Sequence, residues 1–189
     1  MKRKLIAVAA LAVAMPLLQG CFPLAVTGMG AAALMATDRR TTGIYVEDEN
    51  IEWKALARMR EDSRGANVNA TSYNRRVLLT GQAPTEEEKA RLERVVRSIP
   101  SVADVVNEIK VGAVPSLSAR GNDALVTSNV KARMVNNPKF SASHIKVVTE
   151  AGVVYLMGIV TQEEGEAAAE IARTTQGASA VVKVFEYIK

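Results

Sequence analysis

The sequence has very little of the side chains that usually build catalytic and metal sites. It contains one cysteine, Cys21, and one histidine, His144, in 189 residues. A single cysteine excludes a disulfide within the chain and a four-cysteine metal site. A lone histidine with no cysteine near it argues against metal ligation and against a nucleophilic triad. We therefore expect His144 on the surface, and we expect neither a metal ion nor a cofactor.

The apolar run near the amino terminus is short for a membrane-spanning helix. It extends from Leu5 to Leu18 and is interrupted by Pro16, whereas a transmembrane helix needs about 20 apolar residues. Basic residues precede this run, and Gly20 follows it directly before the cysteine, which is the layout of a secretory leader. We predict a signal peptide over residues 1–20, with a permanent anchor helix as the alternative.

The part of the chain that would remain after export has almost no net charge. The sequence carries 24 basic and 20 acidic residues. Removal of Lys2, Arg3 and Lys4 with the leader would leave 21 basic residues against 20 acidic ones. Nucleic-acid-binding domains usually carry a clustered basic surface, so no nucleic-acid partner is expected.

The residues around the cysteine, Leu18-Gln19-Gly20-Cys21, resemble the lipobox of bacterial lipoproteins. The resemblance implies that the Cys21 thiol receives a diacylglycerol, that the leader is removed, and that the new amino terminus is acylated. An incidental thiol in an uncleaved segment is the alternative. An aspartate after the cysteine commonly retains such proteins in the inner membrane, and Phe22 stands there instead. The resemblance therefore implies a lipid anchor in the outer membrane, facing the periplasm, with residues 21–46 as the lipidated tether.

From about residue 47 the sequence consists of two copies of one unit. Three short segments recur about 76 residues later: Ala57-Arg58-Met59 as Ala132-Arg133-Met134, Val77–Gly81 as Val154–Gly158, and Val105-Val106 as Val181-Val182. The physical signals also recur in one order, which is a helix-period segment, two strand-like runs, a second helix and a closing strand.

A capping box predicts the start of the second helix in each copy, Thr85–Glu88 in the first and Thr161–Glu164 in the second. In this motif the threonine oxygen accepts from an orphan amide and the glutamate returns the bond. Paired-carboxylate catalysis is the competing interpretation of these glutamates, but the helix macrodipole favours negative charge at such positions without any catalytic role. We predict that the chain is not an enzyme.

The order of elements predicts an α+β fold in which two helices pack against a three-stranded mixed sheet in each copy. The predicted first domain spans residues 47–112 and the second spans 122–189. Residues 113–121, which contain Pro115, Ser116 and Gly121, are predicted to be the linker. Each domain is small, so we expect modest individual stability, and whether the two pack together stays open.

The segments Val147–Glu150, Val154–Gly158 and Ala167–Ala172, together with the doubled unit and the lipobox, resemble the BON family. These are small bacterial domains found in osmotically induced periplasmic proteins and in outer-membrane lipoproteins. The chain is most similar to the dual BON-domain lipoproteins. This resemblance implies a non-enzymatic role in keeping the outer membrane impermeable, with anionic phospholipid bound by the second domain.

The opening helix of the second copy has an apolar patch away from its core stripe. At 100° per residue, Val126, Val130 and Met134 share the stripe that faces the sheet, whereas Leu125 and Val135 fall outside it. The favoured interpretation is that this patch meets a membrane, and the alternative is that it packs against the first domain.

Cations flank this patch. Lys131 and Arg133 lie on opposite sides of it, and Lys139 and Lys146 follow. A helix of this kind can sink its apolar side chains slightly while its cations reach phosphate groups. We therefore predict a lipid-binding surface that consists of Leu125, Lys131, Arg133 and Val135.

Trp53, the only tryptophan, lies away from the core stripe of the first helix. The favoured interpretation is interdomain packing, because tryptophan side chains are highly buried on average. The alternative is that Trp53 contacts a lipid or protein partner. It belongs to a second functional hypothesis, in which the chain is a periplasmic interaction module or chaperone. In that hypothesis Trp53 and exposed sheet edges contact the outer-membrane protein assembly machinery.

Overall fold

A computed structural model describes residues 38–62, 65–113, 116–135 and 137–189. The predicted leader, the lipobox with Cys21, and the predicted tether as far as residue 37 lie outside the described residues.

The first copy begins with helix α1 (Thr42–Asp62) and continues through strand β1 (Asn67–Tyr73), strand β2 (Arg76–Ala83) and helix α2 (Glu86–Arg97). It ends with strands β3 (Asp104–Asn107) and β4 (Lys110–Val111). Strand β1 is antiparallel to β2, and both β3 and β4 run parallel to β2 on its other side. The predicted single closing strand is therefore interrupted between Asn107 and Lys110. At this interruption Ile109 is fully buried in the core.

The second copy repeats this order. Helix α3 (Leu117–Val135) and a short 3₁₀ turn (Ala142–His144) precede strands β5 (Ile145–Glu150) and β6 (Val153–Val160), helix α4 (Gln162–Arg173) and strand β7 (Ala180–Tyr187). Strand β5 is antiparallel and β7 is parallel to the central β6. The predicted α+β fold of two helix-strand-strand-helix-strand units is confirmed.

Two predicted boundaries differ from the structure. Helix α1 begins at Thr42, inside the predicted tether of residues 21–46, and α3 begins at Leu117, inside the predicted linker of residues 113–121. Hydroxyl groups satisfy first-turn amides at both starts: Thr41 Oγ1 accepts from the amide of Ile44, and Ser116 Oγ accepts from the amide of Ala119. These two capping residues extend both helices beyond the part of the sequence with a clear apolar period.

Each copy buries one core between its helices and one face of its sheet. The buried side chains of the first core come from α1, β2, α2 and β3 and from the loop residues Ile99 and Ile109, and β1 adds only the partly buried Val68 and Ala70. Those of the second core include Val126, Val130, Met134, Leu156 and Phe185. The helix stripes predicted from the apolar period are thus the buried faces. Both predicted capping threonines also accept the expected amide bond, from Glu88 and Glu164 respectively.

A glycine in the central strand of each sheet is required by the antiparallel neighbour. A Cβ on Gly81 would overlap the carbonyl oxygen of Asn67, and one on Gly158 would overlap that of His144. The recurrence of this glycine in the two copies therefore has a steric cause.

A buried aspartate near the start of the first helix of each copy holds the hairpin turn of that copy. Asp48 accepts hydrogen bonds of 2.8 and 2.7 Å from the amides of Asn74 and Arg75. Asp123 accepts two of 2.8 Å from the amides of Ala151 and Gly152. All four turn residues have positive φ, as the two-residue turn of a tight hairpin requires.

The two copies pack sheet against sheet through the faces that the helices leave open. Side chains alternate between the two faces of a sheet along each strand. On β1, β2, β6 and β7, the side chains on the face away from the helices therefore point to the other domain. They form a separate cluster of Tyr73, Leu78, Tyr155, Met157 and Val184. The result is a four-layer arrangement of helices, sheet, sheet and helices. All three buried clusters lie between residues 51 and 185, so a chain that starts at residue 38 contains every described core residue.

Candidate functional site

The predicted apolar patch on α3 is on the surface. Leu125 is 64% exposed and Val135 is 70% exposed, although Val126, Val130 and Met134 on the same helix are buried. The alternative that this face packs against the first domain is wrong, because the first domain covers the opposite side of the second sheet.

The two predicted cations of this surface have different surroundings. Lys131 is exposed and has no ion-pair partner among the described residues. Arg133 is also exposed, yet its guanidinium donates to the carbonyl oxygen of Ile171 at 2.8 Å and to the hydroxyls of Thr175 and Thr174 at 2.7 and 2.9 Å. A cation at the carboxyl end of α4 is favoured by the helix dipole. Arg133 therefore joins two helices and presents its charge from a fixed position.

The two further cations that the sequence suggested for this region are neutralised. Lys146 Nζ lies 2.7 Å from a carboxylate oxygen of Glu52 in the first domain, and Lys139 Nζ lies 3.5 Å from a carboxylate oxygen of Glu163. One further cation of α3, Arg120, was not identified from the sequence. Arg120 is exposed in the first turns of α3, but it fell within the predicted linker.

Residues just before α1 attach the amino-terminal segment to the second domain, which sequence reasoning also missed. Arg39 donates to both carboxylate oxygens of Glu164 at 2.6 and 2.9 Å and to the carbonyl oxygen of Ile159 at 2.8 Å. Burial alone would raise the pKa of Glu164, but the bonds from Arg39 and from the Thr161 amide hold that pKa below its ordinary value. Glu164 thus serves both the capping box of α4 and this attachment.

The next residue attaches the same segment to the first domain. The Arg40 guanidinium lies 2.9 Å from Asp48 and 2.7 Å from Asp38, and its central carbon is 4.0 Å from the centre of the Tyr73 ring. Burial raises the pKa of Tyr73 to about 12, so the Tyr73 hydroxyl stays protonated and donates to the carbonyl oxygen of His144. Consecutive arginines therefore bind different domains, and Arg39 and Arg40 lie at the junction of the two.

His144 does not lie on the surface as predicted. Its side chain is only 15% exposed, and its Nδ1 atom lies 3.7 Å from Glu164. The Tyr73 hydroxyl donates to the carbonyl oxygen of His144, and the Glu164 carboxylate beside the imidazole also binds Arg39. No periodic pattern in the sequence predicts these contacts.

Trp53 is also placed differently from the favoured interpretation. Its side chain is 71% exposed, and Val46, two turns earlier on α1, is 52% exposed. The domains meet through their sheets, whereas Trp53 points away from the first sheet on the outer side of α1. Interdomain packing of Trp53 is therefore wrong, and contact with a partner stays a prediction.

The described part of the chain offers neither a metal site nor a membrane span. Within residues 38–62, 65–113, 116–135 and 137–189, no group of three histidine, cysteine, aspartate or glutamate side chains is placed to hold a metal ion. In the same ranges, no helix combines the length and apolar character of a membrane span.

The fold and this surface define a two-domain α+β protein whose functional features are surfaces for contact. The family model described as "BON domain" matches residues 47–113 and 122–189. The chain is 38% identical over 174 residues to "Outer membrane lipoprotein DolP" of Haemophilus influenzae, covering 90% of each chain. It is 32% identical over 155 residues to a "21 kDa hemolysin" of Actinobacillus pleuropneumoniae, covering 80% of each. It is 23% identical over 160 residues to "Osmotically-inducible protein Y" of Escherichia coli, covering 82% of this chain and 80% of that one.

The chain belongs to the BON family, as one of its dual BON-domain outer-membrane lipoproteins. The lipid-anchored localisation at the outer membrane that the lipobox indicated is confirmed by this similarity. None of these three relatives carries the name of an enzyme, which points to a non-enzymatic function.

Proposed function

We propose that the second domain binds anionic phospholipid through Leu125, Lys131, Arg133 and Val135, and that the chain thereby helps to maintain the outer membrane without any catalytic step. The observation that carries the proposal is the exposure of two large apolar side chains beside a cation without an ion-pair partner among the described residues. An interfacial helix needs this combination of apolar and basic groups.

The binding free energy of this surface is small. Lys131 and Arg133 each contribute about 1 kcal/mol near an anionic surface, and partial burial of Leu125 and Val135 contributes about 1 kcal/mol each. A total of about 4 kcal/mol corresponds to a dissociation constant of about 1 mM.

Such weak binding is sufficient for a protein already attached to the membrane. Tethered sites experience effective concentrations in the millimolar range, and acylation of Cys21 would tether the domain to the membrane in this way. The lipid anchor would then hold the protein in the membrane, and the α3 surface would select its orientation and its lipid surroundings.

A flotation experiment with vesicles tests the surface. The chain from residue 38 to 189, which has no acyl group, is mixed with vesicles of phosphatidylglycerol or of phosphatidylcholine. We expect binding to the anionic vesicles only, and we expect Lys131→Glu to weaken it by about tenfold or more, because reversal of one charge removes about 2 kcal/mol. Lys54→Glu, the same charge change on the exposed side of α1, is the matched control.

Arg133 is unsuitable for charge reversal because three hydrogen bonds attach it to the end of α4. Leu125→Ser tests the apolar part of the surface instead, and we expect it to weaken binding at high salt as well as at low salt. Equal flotation of the native chain and of both α3 variants would refute the surface.

A second candidate function is protein contact through the first domain. The 71% exposure of Trp53 favours it, since the outer side of α1 combines this ring with Val46 and belongs to the first domain, whereas the lipid-binding surface belongs to the second. The outer-membrane protein assembly machinery is the proposed partner. Site-specific photo-crosslinking from position 53 in intact envelopes tests this function, with position 125 as the control that should crosslink mainly to lipid.

A further inference from the structure

Strand β1 forms a free edge of the first sheet. The strand order of that sheet is β1, β2 and then β3 with β4, so β1 has a neighbour on one side only. A two-residue turn joins Tyr73 to Arg76. In such a hairpin the amide of each flanking residue donates to the carbonyl oxygen of the other. By alternation, the amides and carbonyls of Asn67, Asn69 and Thr71 also point to β2, whereas those of Val68, Ala70 and Ser72 point outward.

The outward groups at one end of this edge are already occupied. The Ser72 amide donates to a Glu52 carboxylate oxygen at 2.7 Å, and the Ser72 carbonyl oxygen accepts from Lys146 Nζ at 3.2 Å. The structure gives no partner within the described residues for the outward groups of Val68 and Ala70. The open part of the edge therefore offers two amides and two carbonyl oxygens, and the Glu52–Lys146 pair closes its end.

A hollow lies on the helix side of this open edge. Its volume is about 170 Å³, and it lies between α1, β1 and α2, where the apolar side chains of Leu56, Met59 and Leu92 line it together with polar ones such as Arg60 and Asn67. A hollow of this size has room for one side chain.

A second hollow lies between the same edge and the second domain. Its volume is about 560 Å³. Asn67 and Asn69 line it from β1, and its other lining residues, which include Arg120, Ser128 and Glu150, belong to α3 and β5. Both hollows share Asn67 and Asn69 as lining residues, so they flank the same stretch of strand.

We infer that the open edge of β1 binds an extended peptide segment as an additional strand, in which apolar and polar residues alternate. Strand addition satisfies main-chain groups, and pockets for alternate side chains supply specificity. Successive side chains of an added strand point to opposite faces of the sheet. An apolar residue then enters the hollow next to Met59, and the next residue, a polar one, enters the hollow next to Asn69 and Arg120.

The edge of the second sheet is a poorer site for the same partner. Strand β5 is also terminal in its sheet, but α3 packs along it, and the hydroxyl of Thr127 donates to that of Thr149 at 2.7 Å. Of the two hollows, only the larger one borders β5, whereas both border β1. This inference uses none of the four residues of the lipid-binding surface and does not depend on that surface.

The test uses the chain from residue 38 to 189 and a seven-residue peptide in which valine or leucine alternates with serine or threonine. Amide hydrogen exchange is followed by NMR with and without millimolar peptide. We expect the amides of Val68 and Ala70 to exchange at least about tenfold more slowly in the complex, since each gains a main-chain hydrogen bond. Peptides of the same sequence that are N-methylated at alternate residues, in both registers, provide the control.

One of the two methylated peptides blocks the donors that would face β1, and it should not protect these amides. The variant Ala70→Pro provides an independent test, because proline is tolerated on an edge strand where the amide points outward. We expect it to fold and to bind the peptide at least about tenfold more weakly. Protection that is confined to β5 or to α1, equal binding of both methylated peptides, or no effect of any peptide on Val68 and Ala70 would overturn the inference.

Discussion

Removal of the Arg39 side chain should destabilise the fold by loosening the amino-terminal segment from the second domain. Arg39 makes three hydrogen bonds, two to Glu164 and one to the carbonyl oxygen of Ile159. Its side chain is 26% exposed and that of Glu164 is 11% exposed, so water replaces these bonds only in part. Hydrogen bonds to charged groups contribute about 1.5–3 kcal/mol each when buried. Because Glu164 keeps its bond from the Thr161 amide, we expect Arg39→Ala to cost about 2–3 kcal/mol at pH 7.

This cost should depend on pH in a defined direction. In the native chain the pKa of Glu164 lies below its ordinary value of 4.5, because the bonds from Arg39 and Thr161 outweigh burial. A carboxyl group with a lowered folded-state pKa contributes stability above pH 4.5 and loses it as the pH falls through the folded-state value. In Arg39→Ala, loss of the bonds from Arg39 would leave the pKa of Glu164 higher than in the native chain. The difference between native chain and variant should therefore be largest near neutral pH and shrink at acidic pH.

Urea unfolding followed by circular dichroism at several pH values measures this difference. Arg58→Ala is the matched control, since Arg58 is an exposed arginine with a single bond, 3.2 Å to the hydroxyl of Ser98. We expect the control to cost about 0.5 kcal/mol or less at every pH. A cost for Arg39→Ala as small as that of the control, or one that stays constant between neutral and acidic pH, would show that the attachment carries no stability.

Three further substitutions test the packing, each by urea unfolding. Asp123→Ala leaves the turn amides of Ala151 and Gly152 without their acceptor and should cost about 2–3 kcal/mol; an unchanged midpoint would contradict the assignment. Gly158→Ala forces a Cβ onto the carbonyl oxygen of His144 and should be destabilising, whereas Gly121→Ala, in open space within α3, should be neutral or stabilise by up to about 1 kcal/mol. Leu78→Ala removes a fully buried side chain between the sheets and should cost about 3 kcal/mol, while Val111→Ala, at an exposed site, should cost under about 0.5 kcal/mol.

Local patterns in the sequence were sufficient to predict the elements and their order. The apolar period of Val126, Val130 and Met134 predicted the buried side of α3, and the same period correctly placed Leu125 and Val135 outside it. Threonine at positions 85 and 161 predicted where two helices begin. These predictions succeed because helix periodicity and capping depend on residues within a few positions of one another.

The amino-acid sequence by itself therefore determined the doubled α+β unit and the outward face of the second domain. Only the tertiary structure decided the packing of one sheet on the other, the bond between Arg39 and Glu164, the burial of His144 and the exposure of Trp53. Arg39 and Glu164 are 125 residues apart in the chain, and no local period links them. Which groups meet at such distances depends on how two finished domains fit together, and that fit is a property of the folded surfaces.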